Sequence, residues 1–341
     1  MTNNSTSTSP FPQFADIMIM NVLGIIALIA SFGNLFNLYL IYNSRRRQIV
    51  GTLLLANLGV ADLMTGLLVM PLGIYSVVVQ DTIPWSMCQL WAVLASLTIG
   101  VSFYTTAAIS IDRCIAVANP FYYSQNINVS KLKLQIVILW LVTIVIAFMP
   151  ILGLQRYGFG RYDYISGSLQ CWINFKDTKN NLICAIVILS ALSSTIIIIV
   201  TCYSIIFTIA RRKDVQSPSG QGSVKKSIRT TSLIVGTSLI CWTPLISLSY
   251  IEFFAPTFST PSGIVLPAYL CTFCSSAINP IVYSLTNSEL KRRIRRTFRR
   301  TNLVTGTWLV THNNDKVYPY RRDSITGNPH STVMNLIETA S

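Results

Sequence analysis

Apolar residues in this chain run in long windows instead of alternating with polar ones. Windows of about 20 apolar residues, long enough to cross a hydrocarbon core of about 30 Å as a helix, recur along the sequence. They fall at 17–42, 50–76, 86–118, 134–154, 182–210, 230–251 and 263–285. Lipid offers the backbone no hydrogen bonds, and the roughly ten-residue alternation of a membrane barrel is absent. The pattern therefore predicts an all-α membrane protein with a seven-transmembrane helix bundle.

Composition and charge agree with a membrane protein and predict its orientation. Of 341 residues, 51% are hydrophobic and 11% are charged, which is too apolar for a soluble domain of this length. Short loops rich in Lys and Arg stay in the cytoplasm, so we expect an extracellular N-terminus and a cytoplasmic C-terminus. The basic residues left on the outer side are Arg156, Arg161, Lys176 and Lys179. The net charge of +14 then faces anionic membrane lipid and acidic partners, and nucleic acid is not an expected partner.

Two tails flank the predicted bundle. The expected divisions are an extracellular tail at 1–16, the seven-transmembrane domain at 17–286, an amphipathic surface helix at 287–300 and a disordered cytoplasmic tail at 301–341. Overlapping Asn-x-Ser/Thr sequons make Asn3 and Asn4 candidate glycosylation sites on the outer tail.

The segment 287–300 has the pattern of an eighth helix on the inner leaflet. Leu290, Ile294 and Phe298 recur every four positions among basic residues. Such an arrangement is typical of an amphipathic helix that lies in the membrane interface. The alternative is a basic tail that only maintains the topology.

Polar residues inside the spans indicate a buried polar cluster. Asp62 lies about 18 Å from the inner end of the second span, where a charge costs about 2.5 to 3.5 kcal/mol on insertion scales. Ser102 shares this depth in the third span, and Asn34 and Asn279 lie in the inner halves of the first and seventh. A carboxylate among hydroxyls and amides can bind a monovalent cation or a proton. A hydrogen-bond network that only packs the helices is the compatible alternative.

The charged pair Asp112-Arg113 stands at the inner end of the third span. It is about 38 Å along the helix from Cys88, which places the pair and Cys88 at opposite membrane faces. A charged pair at a helix end also serves to anchor a span, so the pair by itself does not establish a functional role.

Taken in order, one or more to a span, these motifs resemble the rhodopsin-like, or class A, G-protein-coupled receptors. The resemblance covers about 17–300 of the chain. The residues that carry it are Gly33-Asn34, Asp62, Asp112-Arg113-Cys114, Trp140, Cys241-Trp242-Thr243-Pro244 and Asn279-Pro280 with Tyr283. The implied function is that of a receptor that binds an extracellular ligand and activates a heterotrimeric G protein when its sixth helix moves outward.

The resemblance assigns roles to residues at the inner end. Arg113 is expected to meet the C-terminal helix of the G protein, with Asp112 restraining it at rest. Pro120 and Phe121 begin the second inner loop, where the family presents an apolar side chain to the G protein. Tyr203 and Tyr283 match tyrosines that rotate inward on activation. Arrestin and receptor kinases are further implied partners.

The same resemblance assigns roles within and above the bundle. The residues matching the family's sodium pocket are Asn34, Asp62, Ser102, Ser276 and Asn279. Trp242 and Pro244 match the switch beneath the ligand. Cys88 and Cys171 are the cysteines at the outer boundary, an oxidising site, and are expected to form a disulfide that holds the second outer loop over the pocket.

The ligand is the least determined part of this interpretation. Ala95 stands where amine receptors carry a counter-charge, and Phe273 stands where opsins carry the retinal-linking lysine, so neither a monoamine nor retinal is expected. The expected pocket wall is Ala95, Ser96, Ile99, Val187, Ile188, Trp242, Leu245, Ile246, Ser249, Tyr269 and Phe273. This mostly apolar wall favours a neutral or lipid-like small molecule, with a peptide on the outer loops as a close alternative. The pattern is that of an orphan member, with no cofactor beyond a structural Na⁺ at Asp62.

Departures from the family pattern bear on the mechanism. Phe103, Thr195 and Ser238 occupy the positions of the usual core switch, and we hypothesise that Phe103 supplies from the third span the aromatic volume missing from the sixth. Val224 stands where many members place a Glu opposite the third-span arginine, so we expect appreciable ligand-independent activity.

The sequence is less consistent with two other functional classes. The histidines, His312 and His330, both lie in the tail, and no nucleophile with a base occurs in the spans, so an enzyme is not expected. An ion-coupled transporter or channel using Asp62 is the alternative function.

Overall fold

The computed structural model describes residues 13–43, 50–214, 222–258 and 260–286, which belong to one compact unit. Several predictions lie outside these described residues. They are the glycosylation sites Asn3 and Asn4, the amphipathic helix at 287–300, the tail at 301–341 and the side chain of Val224.

Within the described residues, seven helices are long and apolar enough to cross a membrane. The first is Gln13–Tyr42, the third Trp85–Ala118, the fourth Val129–Phe148, the fifth Thr178–Asp214, the sixth Gly222–Phe254 and the seventh Ser262–Thr286. The second combines Val50–Met64, Thr65–Val69 and Met70–Val79. The predicted seven-helix architecture is confirmed, and we call these helices the first to seventh spans.

The fourth and fifth spans begin earlier than the hydropathy pattern predicted, at Val129 and Thr178. Their first turns are polar and therefore escape a hydropathy window, but side-chain caps hold them in helical form. The Asn128 side chain accepts a hydrogen bond from the Lys131 backbone N–H at 2.9 Å, and Asp177 accepts one from the backbone N–H of Asn180 at 3.3 Å.

A π-helical turn at Thr65–Val69 interrupts the second span just before Pro71. Proline has no N–H to continue the regular hydrogen-bond ladder, and a π-turn is one way a helix accommodates the change. The turn presents Gly66 to the first span, where an added Cβ would lie 2.6 Å from Ser31 Oγ and 3.0 Å from the Ser31 backbone nitrogen. The first and second spans therefore approach closely at Gly66.

A two-stranded antiparallel hairpin lies between the fourth and fifth spans. Its strands are Tyr162–Ile165 and Gln170–Ile173, with Tyr162 opposite Ile173. Leu169 enters the second strand at φ 53°, and its carbonyl accepts a 2.7 Å hydrogen bond from the buried Ser76 hydroxyl of the second span. The hydropathy pattern did not predict these four-residue strands, because they are too short to show a period of their own.

The two largest apolar clusters make up most of the bundle's buried core among the described residues. One contains Trp91, Ala95, Tyr162, Cys171 and Phe273 and lies at what we call the disulfide end; the other contains Leu54, Ile109, Ile199 and Ile234 and lies at what we call the arginine end, near Arg113. Along the third span, Ser102 lies between the two clusters, at the depth of Asp62. The polar cluster therefore separates two apolar halves.

Gly66→Ala should destabilise the fold, because the new methyl group meets the backbone of the first span, which cannot move aside as a flexible side chain would. We expect a loss of about 1–3 kcal/mol. The measurement is the thermal unfolding midpoint of purified protein, compared with Gly24→Ala, whose Cβ meets nothing within 4 Å. Equal midpoints for the two variants would contradict the close contact.

Candidate functional site

Asp62 is fully buried at the centre of the polar cluster. Its Oδ1 accepts hydrogen bonds from Ser102 Oγ at 3.1 Å and Ser276 Oγ at 2.9 Å, and its Oδ2 accepts one from Asn279 Nδ2 at 2.8 Å. Hydrogen bonds to an ionised acceptor are the strong ones, and they offset part of the cost of burying the carboxylate. The carboxylate thereby joins the second, third and seventh spans.

Asn34 joins this cluster through the backbone and not through the Asp62 carboxylate. Its Nδ2 donates to the carbonyls of Ala30 at 2.8 Å and Ser276 at 3.0 Å. Asn34, Asp62 and Asn279 also line a common cavity of about 20 Å³. A volume of this size accommodates one water molecule or a small cation.

Asn279 leaves an unsatisfied oxygen in this region. Its Oδ1 is buried and has no hydrogen-bond partner among the described residues. A buried carbonyl oxygen without a donor is uncommon in folded proteins and is a recognised mark of a bound water or ion. A carboxylate and an amide oxygen on one cavity fit a monovalent cation.

Two polar side chains near this cluster, Asn57 and Asn37, were not predicted from the sequence to make contacts between spans. Asn57 donates to Thr105 Oγ1 at 2.8 Å and accepts from Trp140 Nε1 at 2.9 Å, which joins the second, third and fourth spans. Trp140, one of the residues that carry the family resemblance, therefore has a hydrogen-bond partner in Asn57. Asn57 could have been identified from the sequence, because it is an amide inside an apolar run.

The second of these side chains, Asn37, joins the first and seventh spans. Asn37 donates to the carbonyl of Pro280 at 3.2 Å and accepts from Ser284 Oγ at 3.0 Å. Asn37 follows Asn34 by about one helical turn, so both amides face the seventh span. That spacing was visible in the sequence, but the partner Ser284 was not.

At the arginine end, Asp112 binds two side chains. Its Oδ2 accepts from Arg113 Nε at 2.9 Å, and its Oδ1 accepts from the Tyr123 hydroxyl at 2.8 Å. Tyr123 lies in the short loop helix Pro120–Asn126, which is capped by Asn119. Burial and the nearby Asp112 raise the pKa of Tyr123, so the phenol stays a donor. Tyr123 was not predicted from the sequence, because its hydrogen bond to Asp112 depends on how the loop helix packs against the third span.

The other predicted coupling residues lie at the same end. Pro120 is exposed, and Phe121 is 73% exposed on the loop helix. Tyr203 and Tyr283 are half-buried and pack against the same apolar cluster of the arginine end. An exposed apolar side chain beside a charged pair is a typical composition for a surface that receives a partner protein.

Trp242 packs against Phe103, with ring centroids 5.4 Å apart. Leu245 and Ile246 complete this cluster. Ser238 bonds its own helix, to the Ile234 carbonyl at 2.8 Å. The geometry supports the hypothesis that Phe103 supplies aromatic volume beside Trp242 from the third span, and Pro244 lies inside the sixth span as expected.

Most of the predicted ligand wall converges inside the disulfide end. Ala95, Leu245, Ile246, Ser249 and Phe273 are buried, while Ser96, Ile99, Ile188 and Tyr269 are half-buried. The Ser249 hydroxyl donates to the Leu245 carbonyl at 3.0 Å, within its own helix. Val187 is half-buried and belongs neither to the cluster of the disulfide end nor to the cluster around Trp242 and Phe103.

The hairpin gives Ser96 a partner that was not predicted from the sequence. Tyr162, only 2% exposed, reaches into the bundle and donates its hydroxyl to the Ala147 carbonyl at 2.9 Å. Its oxygen also lies 2.9 Å from Ser96 Oγ. Ser96 was expected to face a ligand, but in this structure it faces a side chain from the loop between the fourth and fifth spans. Nothing in the apolar and polar pattern of the loop indicated that Tyr162 would insert so deeply.

The hairpin is attached to the bundle at two further points. Cys88 and Cys171 form the predicted disulfide, which is confirmed. Gln89 donates its side-chain amide to the Tyr162 carbonyl at 2.9 Å. Together with the Ser76 bond to Leu169, these contacts hold the hairpin over the third and second spans.

Comparison with known proteins identifies the family. The model of the 7 transmembrane receptor (rhodopsin family) matches residues 33–283. The chain belongs to this family. As a rhodopsin-family receptor it is not an enzyme and is a multi-pass membrane protein, and the transporter or channel alternative finds no support in these matches.

Individual relatives are distant from this receptor. A 5-hydroxytryptamine receptor 2B of Dichotomyctere fluviatilis is 34% identical over 128 residues, which are 37% of this chain and 27% of the relative. A Gq-coupled rhodopsin of Mizuhopecten yessoensis is 26% identical over 298 residues, covering 82% of this chain and 57% of the relative. The receptor thus spans less than two thirds of these relatives' lengths. The crystal structure of squid rhodopsin superposes with a TM-score of 0.72 at 20% identity, over 86% of this chain and 88% of that one, which shows the shared fold.

Tyr162→Phe should destabilise the disulfide end, because it leaves the Ala147 carbonyl and Ser96 hydroxyl without their shared partner in a buried site. We expect a loss of about 1–3 kcal/mol in thermal unfolding of the purified receptor. Tyr157→Phe, at a tyrosine that is 70% exposed, is the matched control. An unchanged midpoint for Tyr162→Phe would show that the inserted phenol contributes nothing.

Proposed function

We propose that this receptor binds an extracellular ligand at its disulfide end and activates a heterotrimeric G protein at its arginine end, by outward movement of the sixth span. The observation that carries the proposal is the arginine end itself. There the Arg113–Asp112 pair, the exposed Phe121 and the two tyrosines of the expected switch lie on one side of the bundle. The planar donor fork of Arg113 suits carbonyl oxygens at a helix terminus.

The proposed orientation puts the N-terminus outside the cell and the C-terminus inside, in the plasma membrane. Two independent features support it. Lys and Arg concentrate in the connections at the arginine end, as cytoplasmic loops do. The disulfide lies at the opposite end, and disulfides persist in oxidising, extracellular surroundings.

The proposed ligand is a neutral or lipid-like small molecule. Although the relatives include receptors named for 5-hydroxytryptamine and a rhodopsin, Ala95 offers no counter-charge to an amine and Phe273 no amine to retinal. With Tyr162 already bonded to Ser96, the wall left for a ligand is mostly apolar and comes from the third, fifth, sixth and seventh spans. A peptide is the second candidate, since the hairpin carries the exposed ion pair of Arg161 and Asp163, 2.9 Å apart.

We also propose that Asp62 and Asn279 hold a Na⁺ ion. The buried carboxylate and the unsatisfied Asn279 oxygen, both on one cavity, support this. The ion would supply positive charge that stabilises the Asp62 carboxylate between the second, third and seventh spans. Arrestin and receptor kinases are proposed as further cytoplasmic partners.

Na⁺ should stabilise the unmodified receptor relative to choline at equal ionic strength, and Asp62→Asn should abolish the difference, because an amide lacks the charge that holds the cation. The measurement is the thermal unfolding midpoint in each salt. Asp163→Asn removes a carboxylate that is 33% exposed on the hairpin, far from Asp62 along the bundle, and should keep the Na⁺ effect. A Na⁺ effect that survives in Asp62→Asn would place the cation elsewhere.

G-protein recruitment without added ligand tests the main proposal. We expect a signal above that of untransfected cells for one of the four main α-subunit classes, and its loss in Arg113→Ala at matched surface expression. Arg161→Ala, which removes a guanidinium from the opposite end, should retain the signal. The basal signal is expected because position 224 carries valine where many family members carry the restraining Glu. Equal recruitment by Arg113→Ala and unmodified receptor would refute the proposed role of Arg113.

A further inference from the structure

The Arg113 guanidinium occupies the space that a side chain at Gly51 would fill. Gly51 lies at the start of the second span, facing the third. A Cβ added there would be 1.9 Å from Arg113 Nη2 and 3.0 Å from its Cζ. Any residue larger than glycine must therefore displace the guanidinium from its present position.

This contact differs from those of the other closely packed glycines. Gly33, Gly66 and Gly100 meet Pro280, Ser31 and Thr143 respectively, which are contacts between span and span. At Gly51 the neighbour is the end of a flexible charged side chain. A glycine inside a helix costs about 1 kcal/mol relative to alanine, so its presence in this helix is consistent with a steric requirement.

The third span completes the enclosure of Arg113. The Asp112 carboxylate accepts from the guanidinium and is itself held by Tyr123. In this arrangement the Arg113 side chain is only 15% exposed. An arginine that is to meet a partner helix must leave both Asp112 and the surface of the second span.

We propose that Gly51 is a positioning residue that keeps Arg113 folded against the second span and away from the G protein. The second span thereby supplies a restraint that, in many receptors of this family, is expected from a sixth-span acid. This inference rests on the proposed coupling role of Arg113. It concerns which residue holds that arginine, and it predicts that a single methyl group at Gly51 releases it.

The first test measures the position of Arg113 without any G protein. Purified receptor in lipid nanodiscs is treated with phenylglyoxal, which modifies accessible guanidinium groups, and modification is quantified by mass spectrometry. The exposed Arg211 serves as an internal standard. We expect Gly51→Ala to raise the modification of Arg113 relative to Arg211 by about two- to fivefold, the change for losing a partly exposed contact.

Gly73→Ala is the matched control. It makes the same change on the same span, but its Cβ meets only Trp91, at 3.4 Å, and Leu23, at 3.9 Å, which are ordinary van der Waals distances. Both variants gain helix propensity equally, so a general effect on the helix would raise or lower both alike. Equal modification of Arg113 in the two variants would overturn the proposal.

The second test is ligand-independent G-protein recruitment at matched surface expression. Gly51→Ala should raise recruitment about two- to fivefold over unmodified receptor, and Gly73→Ala should not. Unchanged or reduced recruitment in Gly51→Ala, in a receptor whose unmodified form couples, would overturn the restraint. Absence of coupling in every form would count against the proposed function, while phenylglyoxal modification would still decide the contact.

Discussion

A buried carboxylate in an apolar bundle imposes the strongest single constraint on this receptor. Asp62 is fully buried, and hydrocarbon offers nothing to solvate it. Its two oxygens are satisfied by Ser102 on the third span and by Ser276 and Asn279 on the seventh. These partners fix the relative rotation of three helices, because a helix turned away by one residue would leave the charge unpaired. Apolar packing above and below this layer is less demanding, since similar side chains can substitute for one another.

The two ends of the bundle are built by opposite means. At the disulfide end a loop enters the bundle, with Tyr162 donating to Ala147 and Cys171 bonded to Cys88. That end is held by a covalent bond and by a side chain inserted between the helices. At the arginine end the short helix Pro120–Asn126 stays on the surface, sends Tyr123 inward and leaves Phe121 exposed. A covalent attachment suits an end that keeps its shape, and an end held by hydrogen bonds suits a surface that must rearrange.

The connections between these ends are polar contacts that cross from span to span. Asn57 links three spans through Thr105 and Trp140, and Asn37 links the first span to the seventh beside Pro280. Proline at that position frees a carbonyl in the preceding turn, and the hydrogen bond from Asn37 to the Pro280 carbonyl adds a further tie to the same segment. In a membrane such hydrogen bonds are each worth a modest amount, on the order of 1 kcal/mol, and many shared ones make the packing specific.

The sequence by itself determined the seven spans and the residues of the polar cluster. The length of an apolar run and the polar residues within it are properties of a single segment. A charge such as Asp62 inside an apolar run can therefore be identified without knowing which other segments pack against it. The disulfide could also be predicted from the sequence, because Cys88 and Cys171 stand at the outer boundary. Only the tertiary structure decided that Tyr162 would meet Ser96, that Tyr123 would hold Asp112, and that Gly51 would lie under Arg113. These contacts join segments whose separation in space depends on loop path and helix rotation, which no local pattern of apolar and polar residues encodes.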